Sequence, residues 1–306
     1  MLRRRAIWIP AVLVAAVVAV GTGGSAVAGS GSGAASAAGS QVSPEDLGKL
    51  GDILREGTGY KARVQAARAM GMLRTPDALP HLLRGLREDP DQLVRAACAW
   101  ALGSINHPAA VEALHKAAGS EVELVQQQAQ RALDFVVSAF PGNLKSVRDP
   151  IFVDLDGLKD EALGKDELAA WIKHCFLAHL VNCTGVETGD EMDIEEDGAT
   201  PDVVKSGLPQ VRVALAGGIK KLGVPEGRAA GPVAASVNFQ VRLVPVPTPV
   251  FTGKGYDGRS PFAGGPAPAD SWTDDPLVES QKGAVRQAVD KGFADLATYL
   301  GLTVGK

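Results

Sequence analysis

Between Pro44 and Phe140, apolar residues recur at three- and four-residue intervals, the period of helices with one buried face. Three segments of this region align with one another: Val64–Gly71, Val94–Gly103 and Val125–Leu133. Their leading valines stand 30 and 31 residues apart. A fixed period of this size predicts a stacked repeat array in which each unit is a pair of helices. In the middle unit the spacing predicts a first helix over Asp77–Arg87, with Leu79, Leu82, Leu83 and Leu86 on one side. A break and cap follow at Asp89-Pro90-Asp91, then a second helix over Gln92–Ile105. Ala96, Ala97, Ala99 and Ala101 let neighbouring helices approach closely. With Leu47–Arg55 as the first helix, three pairs reach the minimum for a stable stack.

The period changes after Pro141-Gly142-Asn143. Ile151–Leu155 reads as a short strand, Asp166–Leu180 as an amphipathic helix, and Val186 as the start of a second strand. Gln210–Leu222 alternates and is expected to break at Gly217-Gly218. Pro232–Pro245 alternates more cleanly, placing Val233, Ala235, Val237, Phe239, Val241 and Leu243 on one face and Asn238, Gln240 and Arg242 on the wetter one. Val250-Phe251-Thr252 extends or pairs with that strand, and a last amphipathic helix is predicted over Asp275–Leu300. The fold class expected is an all-α repeat solenoid over residues 44–140, followed by a small α/β (α+β) domain over 149–302, with a mixed sheet and helices packed on it. The two are expected to be separable folding units, with the boundary near Pro141–Asp149.

Val94-Arg95-Ala96-Ala97, Ala101-Leu102-Gly103 and the helix-opening Pro76 and Pro108 resemble HEAT repeats of the short type named after phycobilisome lyases. The resemblance covers about a third of the chain. It implies a protein-binding scaffold, with lyase activity the weaker inference. The order of elements in the second region is similar to the small periplasmic domain of curli-secretion lipoproteins, lipoprotein activators of penicillin-binding proteins and the TolB amino-terminal domain. Phe152–Leu155, Asp166–Leu180, Gly217–Leu222, Val237–Val244 and Ala284–Leu300 carry it. That resemblance implies a non-enzymatic envelope domain that binds another protein. No lipobox cysteine and no membrane-inserting hairpin accompany it, so pore formation is not carried over.

The amino terminus places Arg3, Arg4 and Arg5 before an apolar stretch from Ala6 to Val20, with Ala26-Val27-Ala28 behind it. This is the pattern of a secretory signal peptide with cleavage after Ala28. The apolar stretch is 15 residues and contains Pro10, short of the roughly 20 that span a bilayer, so a cleaved signal is favoured over a retained anchor. Residues 29–43, rich in Gly, Ser and Ala, read as a flexible linker. The expectation is an exported protein, periplasmic or secreted, with no membrane span in the mature chain.

Composition narrows the function. Hydrophobic residues are 45% of the chain, enough for a packed core, while aromatics are only 5%, leaving few rings for base stacking. The net charge of -4, which becomes -7 once residues 1–28 and their three arginines are removed, gives no footprint for nucleic acid. Three cysteines exclude a disulfide scaffold and a Cys-only zinc site.

Motifs with possible chemistry fail their context tests. Gly29-Ser30-Gly31-Ser32-Gly33 matches a nucleophile elbow, but no strand precedes Ser30 and no helix follows. Gly253-Lys254-Gly255-Tyr256-Asp257-Gly258 matches a dinucleotide fingerprint. Arg259-Ser260-Pro261 then forbids the helix such a site needs, so the segment reads as a flexible hairpin tip. An EF-hand register on Gly157 would put Phe152 and Leu163 at ligand positions, so it is rejected. The acidic run Glu187–Asp197 reads as a solvated loop in preference to a weak Ca²⁺ site.

His174, Cys175, His179 and Cys183 form the one metal-like cluster. His174 and His179 lie about 140° apart around a helix, so a zinc site is disfavoured. A Cys175–Cys183 disulfide stays open if the chain turns back beyond Asn182. The sequon Asn182-Cys183-Thr184 reads as chance. Cys98 beside Trp100 reads as a small buried thiol. Arg63, Arg68, Arg74, Arg84, Arg87 and Arg95 give the array a basic character. Ordinary solvated arginines are favoured over a groove for an acidic partner. No catalytic, cofactor-binding or metal-binding residue is singled out, and no small-molecule substrate is evident. The reading is a non-enzymatic envelope scaffold with a protein partner. The alternative is an enzyme, either lyase-like or a metal-dependent hydrolase using the His174/Cys175/His179/Cys183 region.

Overall fold

The computed structural model describes residues 43–188, 207–223, 232–261 and 276–304, all of which belong to one compact unit. The expected signal peptide, its cleavage site, Ser30 and nearly all of the linker lie outside the described residues. So does most of the acidic run.

Three helix pairs form the array: α1 (Pro44–Glu56) with α2 (Tyr60–Leu73), α3 (Leu79–Glu88) with α4 (Gln92–Ile105), and α5 (Val111–Ala118) with α6 (Glu123–Ser138). Their boundaries follow from local chemistry. The Ser43 hydroxyl accepts from the Asp46 amide at the start of α1, and the Asp91 carboxylate accepts from the Leu93 amide at the start of α4. Short 3-10 turns at Pro76–Ala78 and Pro108–Ala110 lead into α3 and α5. Thr75 and His107 cap these turns from equivalent positions. Just before them, Arg74 (φ 50°) and Asn106 (φ 58°) end α2 and α4 in the left-handed conformation that closes many helices.

The second helices stack as α2–α4–α6 through a row of small residues. Gly71 faces Ala101, and Gly103 faces Ala132, so closely that a Cβ on either glycine would stand 2.8 Å from its neighbour. Gly71, Ala101 and Ala132 occupy the same place in successive repeats, seven residues after each leading valine. The four leucines predicted on one side of α3, Leu79, Leu82, Leu83 and Leu86, are all buried in the array core.

The second region is a six-stranded mixed sheet in the order β3-β1-β4-β5-β6, with β7 also on β5. The strands are β1 (Ile151–Asp160), β3 (Val186–Thr188), β4 (Arg212–Gly223), β5 (Val233–Leu243), β6 (Pro249–Thr252) and β7 (Tyr256–Ser260). β1 runs parallel to β3 and β4, and the remaining pairs are antiparallel. Helices α7 (Asp166–Leu180) and α8 (Pro276–Leu300) lie against the sheet. A two-residue strand β2 (Cys183–Thr184) pairs with β8 (Thr303–Val304) beyond α8. The core alternates along β5 as expected, with Val237, Phe239 and Val241 buried together with Phe293 and Leu296 of α8.

Three local expectations are corrected. β1 does not stop at Leu155. A bulge between Asp154 and Gly157 carries the strand on to Asp160, where the carboxylate accepts from the amides of Ala162, Leu163 and Lys165. β4 does not break at Gly217-Gly218. These glycines sit at φ 127° and 150°, and a Cβ would strike the Asn238 and Lys159 carbonyl oxygens, so glycine is what lets the strand continue. Tyr256–Gly258 is no hairpin tip, because β7 pairs with Val233–Val237 of β5. Asn238, Gln240 and Arg242, assigned to the wetter face, are half-buried, whereas Val237, Phe239 and Val241 are fully buried.

Array and sheet meet where α6 ends. The Phe140 ring lies 6.2 Å from that of Tyr299 on α8, whose hydroxyl donates to the Val250 carbonyl. Asn143 donates to the Val136 carbonyl and to the Asn106 side chain. His107 is buried, and its Nδ1 accepts from the Ala109 amide.

Candidate functional site

The His/Cys region does not assemble into a centre. The His174 ring stacks on Trp171, whereas His179 stacks on Phe293 and pairs with Asp290 at 2.8 Å. Cys175 and Cys183 are buried free thiols, as is Cys98. Burial pushes the Cys175 thiol up to about 11 and that of Cys98 up to about 12, and it raises Cys183 as well. Such thiols stay protonated at neutral pH and are poor nucleophiles and ligands. Among the described residues, no three His, Cys, Asp or Glu side chains gather around a point that could hold a metal. No described helix is long and apolar enough to cross a membrane.

The array's arginines divide into two groups. Arg63 and Arg95 are engaged internally. The Arg63 guanidinium forms a two-pronged pair with Asp89 (2.8 and 3.1 Å) and also donates to the Gly57 carbonyl, while Arg95 donates to the Asp89 and Pro90 carbonyls. The hydrogen bond and charge of Asp89 raise the Arg63 pKa further. This network fixes the loop between α3 and α4.

Arg68 and Arg74 project elsewhere. Arg74, just past the end of α2, lines a groove of about 550 Å³ that runs from there across α4 and α6, and Arg68 reaches its edge over Trp100. Trp100 and Phe135 line it, 39% and 56% exposed, together with Gln128 and Arg131. The Arg68 guanidinium lies 5.9 Å from the Trp100 ring centre. No carboxylate lines the groove, and among the described residues none pairs with Arg68, Arg74 or Arg131. The acids three residues beyond Arg74 and Arg131 are engaged elsewhere, Asp77 with Arg148 and Asp134 with Gln130. Ala99, Ala101 and Ala132 fill the core beneath, Phe135 faces mainly solvent, and the Trp100 ring rests partly over Gly71 with the rest of its surface open. Rings of this kind flanked by arginines are the usual anchors of protein interfaces.

Sequence reasoning named Arg68 and Arg74 but favoured solvation for them. Trp100 figured only as a neighbour of Cys98, and Phe135 and Arg131 were missed. The available signal was register. Trp100 follows its leading valine by six residues and Phe135 by ten, positions off the buried stripe of their helices.

Residues 47–134 match the family model for HEAT repeats. The array is HEAT-like. Among solved structures, the chain is similar to human deoxyhypusine hydroxylase in complex with glycerol, at 29% identity and a TM-score of 0.29. The match covers 31% of this chain and 33% of that one, so the chain spans about a third of that protein's length. Among curated proteins nothing matches. HEAT repeats suggest a protein-interaction scaffold.

Proposed function

We propose that the protein is an exported, non-enzymatic scaffold of the cell envelope. Its HEAT-like array holds one protein in the groove across α4 and α6, and its α/β region docks a second. The observation that carries this reading is the placement of Trp100 and Phe135, open to solvent between arginines that no described carboxylate pairs with. Export is supported by Arg3–Arg5, the apolar stretch Ala6–Val20 and Ala26-Val27-Ala28. The role of the α/β region is supported by its resemblance to the periplasmic domain of curli-secretion lipoproteins, penicillin-binding-protein activators and TolB.

Crosslinked capture from an envelope fraction tests the scaffold. Wild-type protein should retain discrete partners, and a Phe135→Ser variant should lose those held by the array. Retention of the same set by both would refute the assignment of the groove. Export is tested by the amino terminus of protein isolated from the envelope, which should begin at Gly29, and an intact Met1 would overturn it. The array and the α/β region are further proposed to be separable folding units. Limited proteolysis should release fragments ending between Pro141 and Asp149, and aggregation of both halves when expressed alone would speak against the division.

A further inference from the structure

The groove across α4 and α6 has a definite chemistry. Trp100 and Phe135 offer two ring faces with an apolar floor between them, where Gly103 packs on Ala132. Arg74 and Arg131 line the groove beside the rings, Arg68 lies over Trp100, and Ser104, Asn106 and Gln128 supply neutral hydrogen-bonding groups. No acid lines the site. The whole chain is acidic, with a net charge of -4, so this local excess of cations runs against the average and marks a surface suited to a negative partner. A groove that runs from Arg74, past the end of α2, across α4 and α6 suits a short extended segment better than a single small molecule.

We propose that this groove binds an acidic linear peptide segment carrying one large apolar side chain. The apolar side chain seats between Trp100 and Phe135, and the flanking carboxylates meet Arg68, Arg74 and Arg131. This inference rests on the scaffold reading and names the chemistry of the partner. Arginine suits the role because its planar fork accepts a carboxylate in a two-pronged geometry and also stacks on aromatic rings, as Arg68 does over Trp100. The apolar anchor supplies affinity in the desolvated centre. The arginines at the rim set selectivity and the rate of encounter.

The test uses the full mature chain and fluorescein-labelled peptides. One peptide carries Asp and Glu around a central Phe. A second replaces that Phe with Ala, and a third replaces every acid with Asn or Gln. The first should bind, more weakly as salt rises, and the other two should each bind at least about tenfold more weakly. Arg74→Glu with Arg131→Glu should weaken the first peptide by about tenfold or more. Phe135→Ser should do the same with the thermal midpoint unchanged, because Phe135 is 56% exposed. Trp100→Ala is the harsher variant, since the ring also rests over Gly71. Equal binding of the neutral peptide, no binding of the acidic one, or preferential binding of a single-stranded oligonucleotide would each overturn the inference. If the acidic peptide fails while envelope capture still depends on Phe135, the inference falls and the scaffold reading stands. If the peptide binds but capture ignores Phe135, the scaffold assignment falls instead.

Discussion

Gly258 of β7 lies directly beneath Ala284 of α8, so close that a Cβ on Gly258 would stand 1.8 Å from the Ala284 carbonyl oxygen. The closeness depends on three small residues, Ala284, Ala288 and Gly292, spaced four apart on the buried side of α8. A Cβ on Gly292 would in turn meet the Phe239 ring at 2.8 Å and that of Tyr256 at 3.0 Å. Gly258, which ends a formal phosphate-binding motif, is therefore there to admit a helix, with no helix amino terminus beside it to hold a phosphate.

This crossing yields the first prediction. Gly258→Ala has no side-chain end to push aside and must move α8 or β7, at a cost of about 1–3 kcal/mol or more. Gly255→Ala is the control, because its Cβ would meet only side-chain ends, Asn238 Oδ1 at 3.1 Å and Ser236 Oγ at 3.5 Å. Urea unfolding midpoints compare the two. A Gly258 variant as stable as the Gly255 variant would mean the helix does not sit on the strand in this way.

The second prediction concerns the loop between α3 and α4. Arg63 and Asp89 are 14% and 6% exposed, and their pairing is backed by two hydrogen bonds with the loop backbone, at the Asp91 amide and the Asp89 carbonyl, and by one from Arg63 to the Gly57 carbonyl between α1 and α2. Removing one partner strands the other away from water, so Arg63→Ala should cost about 3 kcal/mol. Arg55→Ala, which breaks only exposed pairs with Asp52 and Glu56, should cost about 0.5 kcal/mol or less. Similar losses in thermal or chemical unfolding would show that the Arg63 pair is not the fastener of the loop.

Much of this architecture is legible in the chain. The valine period and the Asp89-Pro90-Asp91 cap were enough to place α3 and α4, and strict alternation from Val233 to Leu243 was enough to place β5. What was not legible depended on distant backbone. Nothing local distinguishes a glycine pair that ends a strand from Gly217-Gly218, where the crowding comes from Lys159 and Asn238 on neighbouring strands. Gly253–Gly258 looks like a turn because its strand partner lies some twenty residues earlier, on β5. The groove was half visible. Its arginines stand out in the sequence, but which of them are internally engaged depends on Asp89, 26 residues from Arg63.

The third prediction tests the sheet-on-helix core. Phe239 is fully buried, edge-on to Phe176 at 5.3 Å and stacked on Tyr256 at 5.5 Å, with α8 pressed against it at Gly292. Phe239→Ala should cost about 3–5 kcal/mol, the usual range for emptying a buried aromatic site. Gln240→Ala, on the opposite and half-buried face, should cost far less. Equally mild effects in chemical unfolding would remove the main support for α8 packing on β5.

The last prediction concerns His107, at the joint between array and sheet. Burial is the largest influence on its ring and pushes its pKa below the ordinary value, partly offset by the Ser146 backbone and by Asp149. His81, between α1 and α3, is pushed down too, by burial and then by Arg84. In both cases the unfolded chain takes up protons more readily than the fold. The stability contributed by the neutral rings is therefore full above about pH 6.5, the unfolded value, and is lost as pH falls from there towards the lower folded values. The wild-type urea midpoint should thus drop between about pH 7.5 and about pH 5.5. His107→Asn keeps an acceptor for the Ala109 amide and removes the titrating ring, so its midpoint should drop less over the same interval. An equal or larger drop in the variant would show that His107 is not held neutral by the joint.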